Sequence, residues 1–168
     1  MESPKDYCSA NTRVFWDVDD FPIPENGDLC AFRSKVRRAL EMEGYYGSHL
    51  TIFAYVSDEK AMVDEERRQF AMAEIPLMCV NVEKRSRLSK MILEMLAWAF
   101  QNPNPNKAIL LIVAKDIPEG DTEFGRVLGI LAERGYHVFC TVPDDFPQGQ
   151  LPPAGPRKDN CHQLVLQS

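Results

Sequence analysis

The chain has 168 residues, of which 45% are hydrophobic and 26% charged, with a net charge of −6. That suits a single domain with a proper core, and no apolar run reaches the roughly 18 residues of a membrane span. The sequence pI near 5.1 excludes a globally basic nucleic-acid binder and leaves only a local patch for that role.

In chain order, the N-terminal stretch MESPKDYCSANT lacks an apolar segment of the secretory kind. Val14–Val18 then reads as a strand. Leu29–Glu43 has apolar residues at 29, 32, 36 and 40, which is helical spacing closed by Gly44. Leu50–Val56 is β-branched and aromatic, a second strand. A charged helix over Glu59–Glu74 and a third strand over Pro76–Val82 follow. Leu88–Phe100 is strongly helical, with apolar residues at 88, 91, 92, 95, 96 and 99, and Asn102-Pro-Asn-Pro-Asn106 ends it. Ala108–Val113 is the unbroken apolar run of a central strand covered on both faces. Thr122–Gly135 is a helix with Asp121 or Thr122 available as N-cap and Gly135 placed just past its end. Tyr136–Val142 is a fifth strand. The Pro/Gly-rich tail that follows closes on HQLVL, either a short strand or a fragment of a longer protein.

This alternation predicts an α/β fold with a parallel sheet of about five strands. In such sheets function sits beyond the carboxyl ends of the strands. There the first strand runs into Asp17, Asp19 and Asp20, and the fourth into Asp116, Glu119, Asp121 and Glu123. If those two strands are neighbours, the acids converge. Crowded carboxylates repel unless a cation is present, and Mg²⁺ or Mn²⁺ is the natural partner. Such an ion could activate water at a phosphodiester. The bland alternative is that Asp-Asp is a turn and Asp121 only a cap. Asp17 is the strongest candidate. Asp19 points away from it if the strand persists.

The five cysteines, Cys8, Cys30, Cys79, Cys140 and Cys161, are odd in number and widely spaced, without CxxC. That points to a reducing compartment, cytoplasm or nucleus. Cys79 and Cys140 lie in apolar runs and read as core residues. Trp16 and Trp98 could stack on bases, but their positions favour the core. Tyr45 and Tyr46 read as exposed. His49, His137 and His162 are isolated.

YCSANTRVFWDVDDFPIP resembles the start of the NYN domain in its limkain-type branch, with a tyrosine upstream of W-D-x-x-N-x-x-[IV]-P. GDTEFGRVLGILAERGYHVFCTV is similar to the family's G-D-S-D-F segment followed by L-x-x-x-G-Y-x-V. FRSKVRRALEMEGYYG and LAWAFQNPNP fit in order between them, and the plant members are the most similar. The resemblance implies a three-layer PIN-like nuclease fold over residues 13–145, between a 1–12 extension and a 146–168 tail. It also implies endoribonuclease action on RNA, single-stranded first of all, with Mg²⁺ or Mn²⁺, and it adds peroxisome association as a location. Homodimerisation or a protein partner stays open, and no membrane is involved.

Position by position, Asp17 matches the family's first aspartate and Asp20 stands where asparagine is usual. Asp121 and Glu123 match the acids of G-D-S-D-F, although Asp116 fits equally if IPEGD is an insertion. Asp17, Asp20, Asp116 and Asp121 are thus the catalytic candidates. Asp17, Asp116, Asp121, Glu123 and Glu94 are the metal ligands. One acid is missing: the family's aspartate at the start of the third helix is replaced by Leu88 and Ser89. Glu94 further on either reaches the site or is a solvated helix residue.

Lys84, Arg85, Arg87 and Lys90 form the densest basic stretch, placed by the pattern in the loop entering the third helix. They would hold an RNA backbone beside the acids, or else be solvated and paired. Arg33, Lys35, Arg37 and Arg38 add charge to the first helix. Two other classes compete with a nuclease. One is an inert RNA-binding or protein-interaction module on the same fold. The other is a phosphotransfer enzyme, since Asp17-Val18-Asp19 has the D-x-D spacing of haloacid-dehalogenase phosphatases. Asp20-Phe21-Pro22 breaks that pattern.

Overall fold

The computed structural model describes residues 10–22, 28–46, 49–57, 62–80, 83–114, 123–142 and 161–165. The elements run β1 (Asn11–Asp17), α1 (Leu29–Met42), β2 (His49–Val56), α2 (Asp64–Met72), β3 (Leu77–Cys79), α3 (Lys84–Gln101), β4 (Ala108–Val113), α4 (Glu123–Glu133), β5 (His137–Val142) and β6 (Cys161–Val165). The sheet order is β3-β2-β1-β4-β5-β6, and every neighbouring pair is parallel. The expected α/β architecture is what forms, with HQLVL contributing to a sixth strand beside β5.

Alternation along the strands builds two cores. Val14 and Trp16 of β1 with Ile52 and Ala54 of β2 face α1 and α2, where Phe32, Val36, Leu40 and Phe70 meet them. Phe15, Leu110, Ile112 and Val138 face the other way, onto Met91, Met95 and Trp98 of α3 and Phe124 and Leu128 of α4. β4 is buried at every residue, as an apolar run with helices over both faces should be. Both tryptophans are core residues: Trp16 stacks on Phe32 with centroids 4.2 Å apart, and Trp98 is buried on the inward face of α3.

Local rules account for several ends. Asp28 caps α1, its Oδ1 accepting from the Ala31 amide at 2.9 Å. Gly44 and Gly135 follow α1 and α4 with φ of +94° and +93°, the left-handed conformation that glycine adopts without strain.

Some expectations are corrected. The basic stretch 84–90 is not a loop: α3 begins at Lys84, four residues before its apolar periodicity starts. α2 begins at Asp64, later than expected, and β3 is only three residues long. Cys79 is exposed, because the short edge strand β3 leaves it uncovered, whereas Cys140 is half-buried and packs against the core. Tyr45 is half-buried, and its hydroxyl meets Nδ1 of His137 at 2.9 Å, so that histidine is not isolated. Tyr46 is exposed as expected.

Candidate functional site at the carboxyl edge of the sheet

The strand order reverses between β1 and β4, from which the chain winds outward in opposite directions. Such a switch point opens a crevice beyond the strands' carboxyl ends. Asp17 is the last residue of β1 and is fully buried there. The continuation of β4, carrying Asp116, Glu119 and Asp121, lies outside the described residues.

Past Asp17 the strand gives way to a turn. The Phe21 amide donates to the Asp17 carbonyl at 3.0 Å, and the Trp16 indole Nε1 donates to the Phe21 carbonyl at 2.8 Å. Alternation therefore lapses after Asp17, and Asp19 does not point away from it: both carboxylates reach one guanidinium. Arg87 Nε lies 3.2 Å from Asp17 Oδ2, and Arg87 Nη1 lies 3.3 Å from Asp19 Oδ2. The other oxygens serve the backbone. Asp17 Oδ1 accepts from the amides of Asp19 at 3.1 Å and Asp20 at 3.4 Å, and Asp19 Oδ1 accepts from the Ser57 amide at 3.5 Å. One network thus ties the turn after β1, the end of β2 and the first turn of α3.

Arg87 is only 4% exposed. It sits one turn before buried Met91, on the inward face of α3, so the helical register itself turns it onto the acids. The signal was present in the sequence, since stepping back four residues from Met91 reaches Arg87. Its neighbours diverge. Arg85 is exposed, and Lys90 pairs with Glu94 across one turn at 2.9 Å. Glu94 is thus engaged on α3, and its charge acts on Tyr55 and Arg13. Glu123 is exposed at the first residue of α4.

Tyr55 and Arg13 had no place in the sequence reading. Tyr55 is the register partner of Asp17 and is fully buried. Its hydroxyl and Arg13 Nε are buried without a hydrogen-bond partner among the described residues. The Arg13 guanidinium lies over the Phe53 ring, 4.2 Å from its centroid. Burial pushes the Tyr55 hydroxyl up, reinforced by Glu94, and pulls Arg13 down. The odd residues of β1, Arg13, Phe15 and Asp17, share this face, so its polar strip follows from strand alternation.

Burial also raises the Asp17 carboxyl above the ordinary carboxylate range. Asp20 adds to the rise, while Arg87 and the Asp20 amide oppose it without cancelling it. A hard divalent ion needs several oxygens free to face it. Here the outward oxygens of Asp17 and Asp19 are already held by a cation. Among the described residues no group of three or more His, Cys, Asp or Glu is arranged to hold a metal ion. The described donors do not fit a divalent ion while Arg87 stands on them.

Comparison with known families matches residues 11–151 to the NYN domain. No curated protein matches the chain.

Proposed function

The chain belongs to the NYN domain family, within the PIN-like nuclease superfamily, and on that premise we propose that it binds RNA along the carboxyl edge of its sheet through the first turns of α3. NYN domains typically bind RNA. The observation that carries the reading here is the start of α3. It opens Lys84-Arg85-Ser86-Arg87 with no acidic residue in its first turn and no side-chain cap. Cations at a helix N-terminus oppose the helix dipole, and an anion offsets them; Glu83 at the N-cap is one such charge and a phosphate would be another. Arg87 has Asp17 and Asp19. Arg85 is exposed, and the helix-terminal amides beside it favour a phosphate. In this reading Lys84, Arg85 and Lys90 are the RNA contacts, Lys90 exchanging Glu94 for a phosphate, and Arg87 stays on the acids.

The second reading is a metal-dependent endoribonuclease, using Mg²⁺ or Mn²⁺ at Asp17 with Asp116 or Asp121. What favours it is the place of Asp17, buried at the end of β1 beside β4. NYN and PIN-like nucleases generally use divalent metals, whose chemistry is to activate water and stabilise charge on the phosphodiester. Arg87 on Asp17 weighs against it.

Fluorescence anisotropy with a labelled single-stranded RNA tests the binding reading. Arg85→Gln with Lys90→Gln should weaken affinity about tenfold and lower the salt slope by one to two. Affinity and slope unchanged in the double variant would move the RNA surface elsewhere.

A further inference from the structure

We infer that the Arg87 guanidinium is the resident cation of the acidic centre and takes the place of the divalent ion that NYN and PIN-like nucleases generally use. The inference deepens the RNA-binding reading and rests on it only for which edge of the sheet is the site.

Three features carry it. First, the two buried charges meet: Asp17 is fully buried and Arg87 is 4% exposed, with 3.2 Å between Nε and Oδ2. A charge so placed requires an opposite partner, because isolated it would be strongly disfavoured. Second, the guanidinium bridges two carboxylates, reaching Asp19 Oδ2 at 3.3 Å with Nη1. Bridging two acids is what a divalent ion does in a carboxylate site, and the planar fork of arginine suits it. Third, each carboxylate is oriented from behind. Asp17 Oδ1 is held by the Asp19 and Asp20 amides and Asp19 Oδ1 by the Ser57 amide. The remaining oxygen of each converges on one position, and Arg87 fills it.

A divalent ion placed there would stand against the guanidinium as a like charge. The two are alternative occupants of one position. Where the sequence resemblance leads one to expect a carboxylate from the third helix, α3 contributes the Arg87 cation.

The test is thermal denaturation of the wild-type chain, Arg87→Met, Asp17→Asn and the double variant, each in EDTA and in millimolar Mn²⁺, with no RNA present. The wild-type midpoint should be the same in both media. Arg87→Met should melt on the order of 10 °C lower in EDTA, because it strands a buried carboxylate. Mn²⁺ should restore part of that loss, and adding Asp17→Asn should remove the response. A wild-type midpoint raised by Mn²⁺ and not raised in Asp17→Asn overturns the inference, as does an Arg87→Met protein indifferent to Mn²⁺. Should Arg87→Met fail to fold, the wild-type arm still decides, and Arg87→Gln, which retains polar length, replaces it. Loss of RNA binding with these outcomes intact would fault only the RNA reading.

Discussion

Asp17 is a carboxylate whose burial works against its charge. Its raised pKa means that the folded protein holds the Asp17 proton more tightly than the unfolded chain does. The sign follows: the stability Asp17 contributes is complete below the ordinary carboxylate range and declines as pH rises through the raised value. Asp17→Asn has no such dependence. As pH rises from the ordinary carboxylate range through the raised value, the wild-type chain should therefore lose stability relative to Asp17→Asn. Urea denaturation of both at several pH values measures this, and a gap that moves the opposite way would show that Arg87 outweighs burial. Tyr55 offers a second check. Its hydroxyl is buried with no partner among the described residues, so Tyr55→Phe removes an unsatisfied group without opening a cavity. It should be neutral or stabilising, by up to about 1 kcal/mol. A loss above that would reveal a partner for the hydroxyl.

At the scale of elements, the strands and most helices were readable because their apolar residues keep a regular period. β4 is an unbroken apolar run, and Gly135, the glycine that the pattern named, follows the end of α4 at Glu133. Gly135 has a φ of +93°, and a Cβ there would meet only Pro105 at ordinary contact distance. Gly135→Ala should thus cost about 1 kcal/mol, from backbone strain and not from a clash. The start of α3 was not readable in the same way. Lys84, Arg85 and Ser86 carry no apolar period, so the pattern began at Leu88, although the helix begins four residues earlier. That shift matters for function. As a loop, the basic residues would share one fate. As a helix, they are sorted by register, with Arg85 outward and Arg87 inward onto the acids. The direction of Asp19 was missed for a related reason, because the strand ends at Asp17 and the turn that follows obeys no alternation.

Across the whole molecule, the parallel sheet and its reversal between β1 and β4 place Asp17 at a switch point, as the order of elements implied. The candidate site was legible as a location but not as a chemistry. Counting acids predicted a metal. The packing of α3 brings Arg87 onto the oxygens of Asp17 and Asp19, which a count of acids does not show. We propose an RNA-binding domain on a nuclease fold, with Arg87 holding the acidic centre. Its most direct test is incubation of the purified chain with end-labelled single-stranded RNA, in Mn²⁺ or in EDTA, with bound and cleaved RNA measured in the same samples. Equal binding and intact RNA are expected in both media. Cleavage that requires Mn²⁺ and disappears in Asp17→Asn would contradict it.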